Sequence, residues 1–486
     1  MKFNLDSYRD KVYACWLGKN IGGTMGTPYE GIRSMHDIHG FATEANVILP
    51  NDDLDLQLMW LAAVETCGIA GLDAKRLGEM WLSYITPHWN EYGIGKANMQ
   101  LGIQPPLSGD AFNPWKHSNG AWIRTEIWAC LAPGAPDIAM KYAYEDACVD
   151  HGTGEGTVAA MLISAIESAA FAERDIRRLI DIGLSKIPED SRLAASVRLL
   201  LECFGSGMDY RDARDAIFKQ NADIGDGWFE APSNVTYALL GLLWGGGDFK
   251  KSMIYAINCG DDTDCTAATV GSILGILGGT AAIPEDWRRH IGDGIVTATL
   301  AECRMHMKRP PKTCRELTER VVRQAPGVLA YHHADVEFTS GADEIPADIT
   351  ERIIADDKFS RELSARPQYS FRVDFEYAAA IISLGGDPRI SPGGHFAVHA
   401  KFINLYRTFG NPPYLLKFRW LLPDGFTVSG PRSVILPEKN AHCNGTADVD
   451  FVINAPDNID AVNRIVLEAM AEGRMSAGYM PITLLG

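Results

Sequence analysis

The sequence predicts a mainly α protein: an orthogonal bundle of helices followed by an all-β sandwich of immunoglobulin type. Three observations carry that expectation. From residue 136 to 330, apolar residues recur with helical spacing in segments joined by short polar connections. From about Tyr369 the period changes to two, with turn residues such as Pro423, Asp424 and Gly425 between short runs. Between them lies an acid-rich turn, CGDDTDC (259–265), which opens a long uncharged run to Ile283.

At 486 residues the chain exceeds one ordinary core, so more than one domain is expected. We read residues 1–325 as a helical domain, 326–368 as a linker with a short helix, and 369–486 as the sandwich. Hydrophobic residues at 46% and charged residues at 22% are those of a globular protein. A net charge of −17 argues against nucleic acid as a partner, because phosphate backbones need a basic footprint. The opening MKFNLDSYRDKVYACW (1–16) has no apolar signal core, and ten cysteines without paired spacing suit reduced thiols, so a cytoplasmic location is expected. Association of copies is left open.

In chain order, a helix-like stretch from Tyr8 runs into GKNIGGTMGTPYE (18–30). Its glycines permit close backbone approach to a ligand or to another helix. Glu30 ends this stretch, either as a solvated turn residue or as a functional acid. Next comes PNDDLDLQLMW (50–60), where Asn51 is a good N-cap and Asp52, Asp53 and Asp55 occupy a first turn. The acids fit dipole complementation or a cation site shared with a second cluster. Residues 84–130 are rich in loops and aromatics and end in HSNGAWIR (117–124). Helices are expected at 138–149, 154–171, 176–185, 193–203, 211–220, 235–244 and 250–258, with His151 between the first two. Trp228 and Phe229 either wall a pocket or pack internally.

The second cluster places Asp261, Asp262 and Asp264 in four positions, and carboxylates so close repel one another unless cations screen them. The run that follows is long enough to span a membrane. Ala267, Gly271, Gly275 and Gly279 recur every fourth residue, a pattern of membrane dimers and of close soluble helix packing alike. Acidic flanks and the lack of a partner span favour a buried helix, with no membrane association. A further helix is expected within 347–359, and strands at 371–375, 395–405, 415–422, 426–428, 447–453, 462–469 and 479–485.

Five elements, in order, are GGTMGTPYE (22–30), NDDL (51–54), NGAWIR (119–124), DH (150–151) and DDTDC (261–265) with Ala267 and Ala268. Together they resemble the ADP-ribosylglycohydrolase family over residues 10–320, where the corresponding patterns are GDxxGxPxE, TDDT, NGxxMR, TH and GDTDT. The resemblance implies an all-α fold of that type and two divalent cations, Mg or Mn. It implies a hydrolase of a small-molecule or ADP-ribosylated substrate, acting at the anomeric carbon of a ribose-like sugar. Carried over residue by residue, the metal ligands are Asn51, Asp52, Asp53, Asp262, Asp264 and Cys265. Glu30 is the general acid or base, with Asp53 and Asp262 in the catalytic set. Asn119, Gly120 and His151 would contact substrate, joined by Asp55 and Asp261, acids that the family pattern lacks. Gly23, Asn51, Leu54 and Cys265 depart from the family residues. Asn51 still offers a hard carbonyl oxygen, whereas the Cys265 thiol is soft. Two other readings remain: a glycosidase or nucleoside-type hydrolase using the same metal site on another sugar, and an inactive ADP-ribose-binding protein. The sandwich would be a sugar-binding or a structural module.

Overall fold

The computed structural model describes every residue except 51, 226–227, 301–308, 407–412 and 441. The chain divides into two compact units, residues 1–94 with 112–364, and residues 95–111 with 365–486.

In the first unit a short strand β1 (Lys2–Asn4) pairs in parallel with β2 (Glu337–Thr339). Asn4 then caps the opening helix, Leu5–Gly26, by accepting a hydrogen bond from the Ser7 amide. This helix lies against the helix Thr263–Gly278 with their backbones in contact. A Cβ added at Gly18 would lie 2.1 Å from the Gly271 carbonyl oxygen, and one at Gly22 would lie 2.2 Å from that of Ala267. A Cβ at Gly275 would lie 2.3 Å from the Ala14 carbonyl oxygen. The four-residue spacing of small side chains therefore serves the close packing of these two helices. Among the described residues no helix is long and apolar enough to cross a membrane. The apolar run is also shorter as a helix than its sequence suggests, because Gly279 (φ 64°) turns the chain into a short 3₁₀ segment.

The seven expected helices are all present, as Pro136–His151, Glu155–Ala169, Ile176–Leu184, Arg192–Gly205, Tyr210–Gln220, Ala231–Gly245 and Phe249–Asn258. Their starts follow local chemistry: Asp175, Ser191, Asp209 and Asp248 each accept a hydrogen bond from an amide of the first turn. Glu155–Ala169 and Ala231–Gly245 are buried almost all round, which is why they read as apolar on every face. The stretch read as a linker carries structure of its own. The single helix expected within 347–359 is two helices, Ile349–Ala355 and Lys358–Ser364. Asp137 accepts from the Phe359 and Ser360 amides, so the second is held on a side chain from another helix.

The second unit is a sandwich of two antiparallel sheets. One has β3 (Ser370–Phe375), β4 (Ala378–Ser383), β5 (His395–Asn404), β9 (Thr446–Asn454) and β7 (Thr427–Ser429) in that spatial order. The other has β11 (Ala477–Leu485), β10 (Val462–Ala471), β6 (Tyr414–Leu421) and β8 (Ser433–Leu436). Phe402 of one sheet stacks on Phe418 of the other at 5.2 Å, and Phe451 meets Trp420 edge-on at 5.1 Å. Strands β4 and β8 are absent from the sequence reading. Strand β4 reads AAAIIS and is buried on both faces, so it has no alternation to reveal it. Residues Ile103, Leu107 and Ala111 belong to this sandwich core, although they precede it by some 260 positions in the chain.

Candidate metal centre and active site

Two helix N-termini and one loop build the site. Asp52 and Asp53 open the helix Asp52–Cys67; Asp262 precedes Thr263–Gly278, and Asp264 lies in its first turn. The chain enters the second helix through a left-handed turn at Gly260 (φ 77°) and Asp261 (φ 70°). Only glycine fits at 260, since a Cβ there would lie 2.3 Å from the Ser34 carbonyl oxygen. The close helix pair brings the end of Leu5–Gly26, and with it Glu30, to the same place.

Glu30, Asp52, Asp262 and Asp264 wall a cavity of about 120 Å³ together with Glu91, Tyr92, Asn119 and Gly120. Ligand-capable atoms of Asp53, Asp264 and Cys265 lie within 4.8 Å of one another, as do those of Glu30, Asp262 and Asp264. Asp264 is common to both sets. One buried oxygen each of Asp262 and Asp264 has no hydrogen-bond partner among the described residues. Buried carboxylate oxygens without donors are costly unless a cation meets them, so these residues fit a metal ion.

The electrostatics say the same. Asp264 pushes the Glu30 carboxyl up to about 8, with burial and Asp52 adding to it. Burial, then Asp264 and Asp55, push Asp52 up to about 7. Asp53 and Asp262 are also raised well above the usual range, by burial first and then, for both, by Asp264. Carboxyls raised in this way hold protons in the native state that the unfolded chain has lost, so native stability falls as pH rises through them. Metal-free protein is therefore expected to melt several degrees lower at pH 8 than at about pH 5.5. Cations must displace these protons, so apparent manganese affinity should climb between about pH 6 and pH 8, the range set by these two groups. Calorimetry in chelator-treated protein across that range checks both, and a flat profile would contradict the electrostatic picture.

Other groups hold the carboxylates in place. The Asn119 amide donates to Asp262 Oδ2 at 2.6 Å, while its carbonyl accepts from the Trp122 indole at 2.8 Å. Tyr92 Oη donates to Asp52 Oδ2 at 3.3 Å. The Cys265 thiol donates to Asp53 Oδ1 at 3.3 Å, and burial raises its pKa well above the usual value, so a thiolate ligand is disfavoured. Lys19 is the cation behind this wall. It is buried, donates to Glu126 Oε1 at 2.6 Å and to the Ile123 carbonyl at 2.7 Å, and lies 3.9 Å from Asp53 Oδ2. Burial alone would lower its pKa, but Glu126 and Asp53 outweigh it, so the charge is retained.

Of the residues expected from sequence, Glu30, Asp52, Asp53, Asp262, Asp264, Cys265, Asn119 and Gly120 converge. Asn51 lies outside the described residues. Three expectations of substrate contact are corrected. Asp55 turns away from the cavity, and its Oδ2 accepts from the Ala298 amide at 2.6 Å and the Thr299 amide at 2.7 Å. Asp261 is a tie: its carboxylate accepts from Phe229 and Asn234, and its backbone pairs with Gly31 and Ile32, which fixes the loop that carries Glu30. His151 is fully buried, with Nε2 3.2 Å from Ser118 Oγ and Nδ1 3.0 Å from Asp150 Oδ1, so it lies behind the wall. Lys19, Glu91 and Ser118 were not singled out from sequence. The one available signal was Lys19 as the sole charge between Lys11 and Glu30.

A family model described as ADP-ribosylglycohydrolase matches residues 4–328. An uncharacterized protein of Archaeoglobus fulgidus is 25% identical over 303 residues, covering 58% of this chain and 92% of its own. A solved structure described as an ADP-ribosylglycohydrolase-related protein complex is 19% identical, with a TM-score of 0.42, and the match covers 67% of this chain and 99% of that one. A FixG-related protein from Vibrio parahaemolyticus is 9% identical with a TM-score of 0.19, over 23% of this chain and 97% of that one.

Proposed function

Because this chain belongs to the ADP-ribosylglycohydrolase family, we propose that it is a metal-dependent hydrolase of a glycosidic bond at the anomeric carbon of an ADP-ribosyl or related ribosyl group. The observation that carries the proposal is the pair of ligand sets sharing Asp264 beside a cavity, with Glu30 at its rim. Asp52, Asp53, Asp262 and Asp264 would hold two divalent cations, Mg or Mn, which suit oxygen ligands. When bound, such cations supply the positive charge that lets these carboxylates ionise together and that polarises oxygens brought to them. Asn119 keeps Asp262 oriented toward the cavity, and Lys19 keeps the rear of the wall neutral.

Glu30 moves the proton. Without cations Asp264 pushes its carboxyl up to about 8, and cations held at Asp264 would draw it back down, which places Glu30 to hold or release a proton near neutrality, as a general acid or base must. Loss of the leaving group builds positive charge at the anomeric carbon, as in other glycosidases, and the carboxylate-lined wall stabilises it. The substrate enters either as a small molecule or as an ADP-ribosylated side chain.

The test is glycoside turnover by chelated and manganese-loaded protein, with Glu30→Gln alongside. We expect no turnover without metal, and a kcat for Glu30→Gln lower by about two to four orders of magnitude. Full activity in chelated protein would remove the proposal. Binding of ADP-ribose with no turnover of any glycoside would favour an inactive binding protein.

A further inference from the structure

Glu91 has no part in the scheme above, yet it lines the same cavity. It stands in the first turn of the helix Asn90–Gln100 and is only 7% exposed. Its Oε2 has no hydrogen-bond partner among the described residues. Its Oε1 occupies space that a side chain at position 120 would need, since a Cβ on Gly120 would lie 2.3 Å away. Gly120 is thus the residue that makes room for this carboxyl.

Behind the carboxyl, Ser118 shares the cavity wall and lies 3.2 Å from His151 Nε2. His151 lies 3.0 Å from Asp150, which accepts from Arg124 Nη2 at 2.7 Å. Arg124 is therefore engaged with Asp150, and with Asp146 at 3.0 Å, and does not neutralise Glu91. A buried carboxyl with an acceptor oxygen unused is built to receive a donor.

Charge narrows the ligand. Among the described lining residues there is no Lys, Arg or His. A pyrophosphate finds no cationic side chain to pair with here, whereas a hydroxyl meets an acceptor. We infer that Glu91 is a specificity-determining residue that accepts a hydrogen bond from a sugar hydroxyl, and that it turns this cavity toward uncharged glycosides and away from ADP-ribose. The inference rests on the glycohydrolase reading of the site and narrows its substrate class.

The experiment compares manganese-loaded full-length protein with Glu91→Gln and Glu91→Asp. Calorimetry measures binding of methyl β-D-ribofuranoside and of ADP-ribose, and a panel of 4-nitrophenyl glycosides measures turnover. The native protein should prefer the uncharged furanoside. Glu91→Gln should raise the KM for the best neutral glycoside tenfold or more, change kcat less than threefold, and bind ADP-ribose several-fold tighter. Glu91→Asp keeps the charge but withdraws the acceptor, so it should lose the neutral sugar without gaining ADP-ribose. Manganese thermal shifts identify any variant that has failed to fold. Tighter native binding of ADP-ribose than of the furanoside, unchanged by Glu91→Gln, overturns the inference. Glu91-dependent furanoside binding without any turnover upholds it while removing the hydrolase reading. Hydrolysis of an ADP-ribosyl substrate that is indifferent to Glu91 does the reverse.

Discussion

Asp264→Ala is expected to abolish the response to manganese and to lower hydrolysis by at least about three orders of magnitude, the scale of losing several kcal/mol of charge stabilisation. The reason is position. Asp264 alone belongs to both sets of convergent ligand atoms, so its removal weakens both at once. The same substitution should raise the stability of metal-free protein at pH 8. Asp264 is the largest cause of the raised Glu30 pKa and, after burial, of the raised Asp262 pKa, so its removal relieves repulsion among the remaining acids. A melting temperature higher by a few degrees without metal, and no further rise with manganese, is the combined signature. It separates a ligand, whose loss unburdens the fold, from a structural acid, whose loss weakens it. A variant that still binds two manganese ions would show that Asp264 is not the shared ligand.

Gly271→Leu should leave no folded soluble protein. A Cβ at 271 would lie 2.2 Å from the Gly18 carbonyl oxygen and 2.6 Å from its carbon, both backbone atoms that no rotamer change can move. The two longest-range partners of the site, the Glu30 loop and the Asp262 helix, would have to part, at a cost beyond about 5 kcal/mol. Gly205→Ala is the control. It ends the helix Arg192–Gly205, and an added Cβ there meets nothing within 4 Å, so stability should change by less than about 1 kcal/mol. Expression, circular dichroism and a thermal melt distinguish the two. A folded Gly271→Leu protein would mean that the helices can separate without losing the fold.

The site was legible from sequence where its chemistry is local. Asp52, Asp53, Asp262 and Asp264 sit at helix starts, which a run of acids before an apolar face reveals. Glu30 was legible only through the resemblance of GGTMGTPYE (22–30) to the family pattern; by itself it reads as a solvated turn residue. Lys19 and Glu91 were not legible, because neither type of residue announces burial. A lysine inside a helix usually reaches solvent, and only the approach of Glu126 and Asp53 from other elements makes Lys19 an internal counter-charge. Asp55 and Asp261 misled for the converse reason. An acid beside an acid looks like a ligand until the backbone amides it accepts from, at Thr299 and Phe229, are seen.

By itself the sequence determined the helical unit, the change to strands near residue 370, the close-packing stripe at Ala267, Gly271 and Gly275, and the family. These are periodicities and motifs, properties of a chain with its nearest neighbours. The tertiary structure alone decided which carboxylates face one cavity and which cap a turn. It decided that His151 lies behind the wall, that Gly120 makes room for Glu91, and that residues 95–111 join the sandwich core. Those outcomes depend on contacts between residues far apart in the chain, where charge, burial and space are settled together by packing.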